Sequence, residues 1–155
     1  VTSIQQISDL EDMMNEYYSA IQGHPYYKRI KIDIEKQDPL QFSFRAASDR
    51  DSTYIPTRFS TAQLNIVALS IFISNSKLMA GKLPLLTLDS PTQNMDDTHK
   101  EAFAKLLSRL TEEFQVIVAT ENIDTKDYIM ANSADATLYE LGDWGTEGPQ
   151  VSSSP

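Results

Sequence analysis

The residues best suited to chemistry lie in the stretch Leu83–Asp97, where an apolar run ends in an acid and a polar turn follows. The run Leu85–Leu88 is typical of a strand covered on both faces. Asp89 then lies at the carboxyl end of that strand, which is the edge where open α/β sheets bind their ligands. A carboxylate in this position can hold a metal ion or orient a water molecule.

A second acid is expected at the same edge. The sequence Val116–Val118 predicts another buried strand, with Glu121 shortly after it, and an amphipathic helix starting near Asp97 lies between the two strands. A strand, helix and strand in this order predict a right-handed parallel crossover, which brings Asp89 and Glu121 together. A local explanation is preferred for Asp97, as the helix N-cap. His99, in the first turn, is expected to be solvated.

The amino-terminal part predicts a helix and a hairpin. Over residues 1–22 the apolar side chains recur at three- and four-residue steps, so they share one helical face; they are Ile4, Ile7, Leu10, Met14, Tyr17 and Ile21. This helix is either a return from a coiled coil or an ordinary edge helix, and it stops at Gly23-His24-Pro25. His24 is not expected to be a ligand. Alternating residues on both sides of Asp38-Pro39 predict two antiparallel strands, and Ala47–Thr57 predicts a loop.

The strongest helical pattern is Ser60–Asn75, which is almost entirely apolar after its first turn and predicts a helix buried nearly all round. Ser60 and Gln63 have the spacing of a capping box, which explains both residues locally. The same helix start, with its free amides and hydroxyl, also suits an anion. On local grounds, both interpretations of this helix start stay open. The helix is followed by a loop that ends at Lys82.

The carboxyl-terminal part carries weaker signals. Thr125–Asn132 predicts a short helix and Ala136–Leu141 a final strand. Residues 146–155, rich in Gly, Ser and Pro, predict a flexible tail that ends at Pro155.

Composition excludes several classes of function. The 155 residues, 41% hydrophobic and 23% charged, suit one globular domain. The chain has no cysteine, which excludes disulfides and thiolate metal sites, and no apolar run long enough to span a membrane. We expect a cytoplasmic or nucleoid-associated protein. The net charge of −9 argues against this segment gripping a nucleic acid backbone by itself.

Three segments together resemble the motifs of ABC-type ATPases, in the order that family has them. Leu88–Asp96 resembles the Walker B strand end and D-loop, usually apolar residues, Asp-Glu-Pro-Thr and a turn closing on Leu-Asp. Phe59–Gln63 resembles the signature motif, usually Leu-Ser-Gly-Gly-Gln, and Gln115–Asn122 resembles the last core strand and its switch loop. The resemblance implies the carboxyl-terminal lobe, over residues 23–145, of a head like those of SMC and DNA-repair ATPases. The fold class it implies is α/β, a partial P-loop NTPase head with parallel core strands, a crossover helix and an antiparallel hairpin near the amino terminus.

The resemblance also implies cofactors and roles. ATP and Mg²⁺ would be bound between two heads, a homodimer or a pair with a related head, with Asp89 as the metal ligand. The residues that would contact the nucleotide are Ser60, Thr61, Ala62, Gln63, Asn94 and Asp96. Thr61 and Ala62 replace two glycines of the signature, which puts close approach to a phosphate in doubt. For the whole protein the resemblance implies a partner in DNA, for repair, chromosome maintenance or defence.

Two departures affect the catalytic positions. Ser90 stands where the family usually carries the glutamate that activates water, and Glu121 stands where it carries the switch histidine. A serine hydroxyl orients water but is a poor base. Either another carboxylate serves, with Glu121 as the candidate, or turnover is slow, or Ser90 is an engineered replacement that traps ATP.

The chain also lacks a G-x-x-x-x-G-K-[ST] sequence, the loop that cradles phosphates. We therefore expect that loop on an amino-terminal lobe of the same head, and no hydrolysis by this segment alone. The alternatives are a degenerate, non-hydrolysing head used for ATP-dependent dimerisation or partner docking, and an unrelated α/β binding domain.

Overall fold

The computed structural model describes residues 3–35, 41–81 and 84–154. The predictions for Val1, Asp38-Pro39, Leu40, Lys82, Leu83, Pro155 and the side chain of Ile4 lie outside the described residues. Within them, the elements in chain order are α1 (Ser3–Ala20), β1 (Arg29–Glu35), β2 (Gln41–Ala47), β3 (Ser52–Tyr54), α2 (Ile55–Arg58), α3 (Thr61–Met79), β4 (Leu85–Asp89), α4 (Asp97–Leu110), β5 (Gln115–Ala119), α5 (Ile123–Asn132), β6 (Leu138–Gly145) and β7 (Gly148–Ser154).

The predicted amino-terminal hairpin is confirmed. β1 and β2 pair antiparallel, with Ile30 opposite Ala46 and Ile34 opposite Phe42. Ile30 and Ala46 are fully buried, whereas Ile34 and Phe42 are 41% and 54% exposed. The two strands are therefore packed on the core at the Ile30 end and exposed at the Ile34 end. The predicted loop Ala47–Thr57 is wrong in part, because β3 adds a third strand to β2 and α2 follows it.

Helix α1 is fixed to this sheet by two side chains, Asn15 and Glu11, and the Glu11 carboxylate accepts from the Ile32 amide at 2.9 Å. Asn15 accepts a hydrogen bond from the Ile30 amide at 2.7 Å and donates one to the Ile30 carbonyl at 2.8 Å. The same helix buries Met14 and Tyr18 against the core, and Ile21, directly after the helix, is buried as well. Because a buried backbone must have its hydrogen bonds satisfied, Asn15 takes the place of a neighbouring strand at the edge of β1.

Helix α3 is the central helix, but it is not buried all round. Its inner face is closed by Ile66 and Ile73, and by Ser70, whose hydroxyl donates to the Ile66 carbonyl at 2.7 Å. Its outer face exposes Phe72 by 46% and Met79 by 77%. The predicted burial nearly all round is therefore wrong, since apolar residues also remain on the surface of folded proteins.

The predicted parallel unit is confirmed. β4 and β5 pair in parallel, with Asp89 opposite Ala119, and α4 connects them. Only one face of β4 is covered: Leu86 and Leu88 are buried, while Leu85 is 44% exposed and Ile117 on β5 is 49% exposed. The expected burial on both faces is therefore wrong, and these two strands leave an apolar face open.

The carboxyl-terminal region forms a hairpin instead of a strand and a tail. β6 and β7 pair antiparallel from Leu138 opposite Ser154 to Gly145 opposite Gly148. The expected flexible tail at 146–155 is therefore wrong for residues 148–154. Trp144 on this hairpin is 81% exposed and Leu141 is 72% exposed. None of the helices in the described residues is both long and apolar enough to cross a membrane.

The turn after α1 has a buried polar centre around Tyr18 and His24. The Tyr18 hydroxyl accepts from the His24 amide at 2.6 Å and donates to the Tyr27 carbonyl at 3.0 Å. The His24 Nδ1 accepts from the amides of Tyr26 and Tyr27 at 3.0 and 3.1 Å, and its ring stacks on Phe59. Desolvation by burial lowers the pKa of His24, so the ring has a structural role as a neutral acceptor.

We expect the protein to lose stability as the pH falls below the ordinary histidine value of 6.5. The unfolded chain then binds a proton at His24 that the folded chain resists, so the free energy of unfolding decreases as the pH is lowered below this value. Denaturant unfolding of wild type and His24→Gln across this range measures the effect. The stability advantage of wild type should shrink toward acid pH; an advantage that is constant, or that grows, contradicts the assignment.

Candidate functional site

The parallel pairing of β4 and β5 brings two strand ends together. The Ser90 amide donates to the Ala119 carbonyl at 2.8 Å, which extends the ladder one residue beyond Asp89. Thr120 and Glu121 follow Ala119 directly, so they leave the sheet at the same edge as Asp89 and Ser90. This edge is the place where parallel sheets bind ligands.

The turn that follows Asp89, residues 90–95, has an unusual backbone. Ser90 and Asn94 have φ angles of 45° and 62°, in the left-handed region. Asn tolerates this conformation better than Ser, for which it costs on the order of 1 to 3 kcal/mol. Two internal hydrogen bonds hold the turn, from Gln93 to Ser90 at 3.4 Å and from Met95 to Thr92 at 3.1 Å. A strained turn persists only where its surroundings fix it.

A cleft of about 480 Å³ opens between this turn and the segment after β5. Most of its lining side chains are polar. The lining residues are Ser90, Thr92, Gln93, Asn94, Met95, Lys100, Thr120, Glu121 and Asn122. The cleft therefore brings together three of the predicted site residues, Ser90, Asn94 and Glu121.

Lys100 is the basic side chain of the cleft. It is 9% exposed, and its Nζ donates to Asp124 at 3.2 Å and to Asp97 at 3.4 Å. Burial opposes the charged amine, but the hydrogen bonds to these two carboxylates outweigh it and raise the pKa of Lys100. The cleft thus contains one positive charge, which is already paired with two carboxylates.

A chain of buried hydroxyls connects the turn to α5. The hydroxyls of Thr92 and Thr125 lie 2.6 Å apart, and Thr125 Oγ1 donates to Asn122 Oδ1 at 3.0 Å. Because a hydroxyl has a single proton, Thr125 must accept from Thr92. Asn122 is also the N-cap of α5 and accepts from the Thr125 amide at 2.9 Å. These hydrogen bonds therefore join the two sides of the cleft.

The signature-like segment lies at the start of α3 and does not line the cleft. The capping box is formed: Ser60 Oγ accepts from the Gln63 amide at 3.3 Å, and Gln63 Oε1 accepts from the Ser60 amide at 2.9 Å. Ser60 and Thr61 are exposed, whereas Ala62 and Gln63 are half-buried. The Ser60 hydroxyl proton is not used in this box, so it can still be donated to an anion.

Asp96 lies at the other end of the turn and also stays outside the cleft. It is the N-cap of α4, so the predicted cap at Asp97 is wrong by one residue. Its Oδ1 accepts from the amide of His99 at 3.0 Å and from His99 Nδ1 at 2.7 Å, and these bonds lower the pKa of Asp96. The prediction of a solvated His99 is wrong, because Nε2 also bonds the Gln22 carbonyl at 3.0 Å.

Asp89 fits part of a magnesium site. Its side chain is exposed at the sheet edge, and the Ser90 hydroxyl lies 3.5 Å from its Oδ1. Among the described residues, no three His or acidic side chains are grouped closely enough to hold a metal ion alone. In phosphoryl-transfer sites Mg²⁺ is held by one or two carboxylates together with substrate phosphates, so a single Asp suits that kind of site.

Several residues around the cleft escaped sequence analysis. Lys100, Thr92, Thr125 and Asn122 acquire their roles from contacts between α4, the turn and α5. The spacing of Asn122 and Thr125 is that of a helix cap, which was a usable signal. Nothing in the sequence around Lys100 indicates its partner Asp124.

Comparison with known proteins gives two kinds of relative. Arcadin-4 of Pyrobaculum calidifontis is 26% identical over 128 residues, which are 82% of this chain and 16% of that protein. The DNA double-strand break repair Rad50 ATPase of Aeropyrum pernix is 25% identical over 122 residues, 77% of this chain and 13% of that protein. This chain therefore spans less than a fifth of either curated relative. No family model matches it.

Solved structures match over nearly the whole chain. A structure from work on ATP-driven dimerization and DNA-stimulated activation of SMC ATPases superposes with a TM-score of 0.75 at 18% identity, covering 98% of this chain and 87% of that one. The Smc head domain of Pyrococcus furiosus, with an extended coiled coil and bound to the C-terminal domain of ScpA, gives 0.73 at 18% identity, covering 97% and 36%. The chain thus has the mixed α/β fold of an SMC head domain and is a distant relative of the Rad50 ATPase.

Proposed function

We propose that this chain is the carboxyl-terminal part of an ATP-binding and ATP-hydrolysing head that acts on DNA. The observation that carries the proposal is the cleft at the end of β4 and β5, which Ser90 and Glu121 line, with Asp89 next to Ser90 at the same sheet edge. The SMC head fold and the distant relation to Rad50 support the reaction class. DNA contact would lie mainly outside this acidic segment.

The amino-terminal lobe of the same head is the first partner. The chain has no phosphate-binding Gly-Lys loop, and the open face of β4 and β5 exposes Leu85 and Ile117. Apolar residues on a sheet face are stable when another layer covers them. A lobe that covers this face and supplies the loop would complete the site, so the segment alone is expected to hydrolyse no ATP.

The second partner is another head, bound through ATP. The exposed start of α3 offers a helix N-terminus and the Ser60 hydroxyl, a combination that binds phosphate. Gln63 holds this end in shape through the capping box. In the proposed sandwich, Ser60 and Gln63 of one head face the nucleotide bound by the other, and Asn94 faces the nucleotide of its own head.

Asp89 would hold Mg²⁺, directly or through water, and the ion would neutralise charge on the phosphates. The attacking water would lie between Ser90 and Glu121. The Ser90 hydroxyl can orient this water, and the Glu121 carboxylate, which lines the same cleft, can accept its proton. Lys100 balances part of the negative charge around it.

A degenerate head is the second candidate. Ser90 in place of a glutamate favours it, because a hydroxyl is a poor base. Such a head would bind ATP, pair and dock partners without turnover. The two candidates differ in one measurable quantity, the rate of ATP hydrolysis by the complete head.

The first test measures ATP turnover by the complete head, with its amino-terminal lobe present, as wild type, Ser90→Glu and Asp89→Asn. We expect wild-type turnover that Asp89→Asn abolishes, because the metal ligand is lost. Turnover that appears only in Ser90→Glu would instead favour the ATP-holding head. ATP binding without turnover in every variant would contradict hydrolysis altogether.

The second test is Glu121→Gln, which keeps the size of the side chain and removes its basicity. We expect kcat to fall by roughly 10² to 10⁴, with ATP binding kept or tightened, since a general base contributes that much. Glu147→Gln, at an exposed position in the β6–β7 connection, is the matched control. Unchanged turnover in Glu121→Gln would exclude Glu121 as the base.

The third test separates the two roles of Ser60. Ser60→Asp keeps a good helix cap but places a negative charge where the phosphate would bind, whereas Ser60→Ala removes the cap and costs about 1 kcal/mol of stability. We expect Ser60→Asp to unfold at nearly the wild-type temperature and to lose ATP-driven pairing of complete heads in analytical ultracentrifugation. ATP-driven pairing at the wild-type level in Ser60→Asp would mean that Ser60 is only a cap.

A further inference from the structure

Asn65 is a polar residue on α3 that reaches the turn after Asp89. Its Nδ2 donates to the Pro91 carbonyl at 2.8 Å and to the Gln93 carbonyl at 3.4 Å. Both partners can only accept, so the amide nitrogen must be the group that faces them. A single side chain thus satisfies two carbonyls of a turn that makes few hydrogen bonds of its own.

The turn is held from two sides. Asn65 holds it to α3, and the Thr92 hydroxyl, through Thr125, holds it to α5. Ser90 and Asn94, the two residues in left-handed conformations, lie directly on either side of these attachments. Residues in such conformations persist only where neighbouring contacts determine them.

Asn65 is close to the start of α3. It lies little more than one helical turn after the Ser60 cap, and one turn of helix rises about 5.4 Å. A displacement of the α3 start would be passed through Asn65 to the turn that carries Ser90 and Asn94, since the backbone hydrogen bonds of a helical turn keep its residues together.

We propose that Asn65 is a positioning residue that holds the turn 90–95 in its catalytic conformation and couples it to the anion-binding start of α3. The proposal rests on the proposed function. Contact of Ser60 with the nucleotide of the opposite head would then set the position of Ser90 and Asn94 in the same chain.

The first arm of the test needs no nucleotide. Asn65→Asp has nearly the same shape but turns an acceptor toward two carbonyls, and Asn75→Asp makes the same change at an exposed position of the same helix. In hydrogen exchange of the 155-residue chain, we expect the amides of Gln93 and Met95 to exchange about tenfold faster in Asn65→Asp than in Asn75→Asp. The Ser90 amide, bonded to Ala119, should be unchanged. Equal exchange in the two variants would overturn the proposal.

The second arm uses the complete head, in whichever of wild type and Ser90→Glu turns over ATP. We expect Asn65→Asp to lower kcat by about 10- to 100-fold with KM for ATP within about twofold, because misplacement of catalytic groups affects the reaction and not ground-state binding. Asn75→Asp should match its parent. If Asn65→Asp also matches its parent, the positioning role is overturned while the proposed function stands. If neither parent hydrolyses ATP, the proposed hydrolysis fails, and the catalytic role of Asn65 fails with it.

Discussion

The parallel hydrogen bonding between β4 and β5 is the constraint on which the candidate site depends. Its register sets Asp89 opposite Ala119, and the additional bond from the Ser90 amide continues the ladder into the turn. A slip by one residue would exchange the two faces of a strand and turn Leu86 and Leu88 out of the core. Burial of these leucines therefore fixes the place at which Ser90 and Glu121 leave the sheet.

Three helices around this sheet each contribute a polar residue near the edge formed by the ends of β4 and β5. α4 supplies Lys100, α5 supplies Thr125 and its cap Asn122, and α3 supplies Asn65. Each contact joins a helix near its first turns to the loops around the cleft, so the polar network lies at the helix starts and the apolar core lies behind it. The apolar face of β4 and β5, by contrast, is left open. On the proposed function, it is the surface on which the rest of the head is layered.

Much of this arrangement could be predicted because local patterns and tertiary packing agree. The apolar run ending at Asp89 and the amphipathic α4 each have a single satisfactory placement, and the crossover brings Glu121 to the edge. The failures have physical causes. α3 is apolar on a face that the described residues leave partly exposed, and β7 is a serine-rich strand formed by its pairing with β6, which no local propensity indicates. The contacts of Lys100 and Asn65 join residues far apart in sequence, so periodicity has no bearing on them.

The two differences from the ABC-type ATPase pattern that the sequence resembles are related through the register of the strands. The family usually has a carboxylate after the Walker B aspartate and a histidine in the switch loop, whereas this chain has the hydroxyl of Ser90 and the carboxylate of Glu121. Because these positions follow adjacent ends of β4 and β5, a carboxylate on either strand would face the same cleft. The exchange would keep one candidate base in the cleft while moving it to the neighbouring strand. Two acids near a phosphate repel it, so Glu121 would need the positive charge of Mg²⁺ at Asp89 to remain compatible with ATP, since the charge of Lys100 is already paired with Asp97 and Asp124.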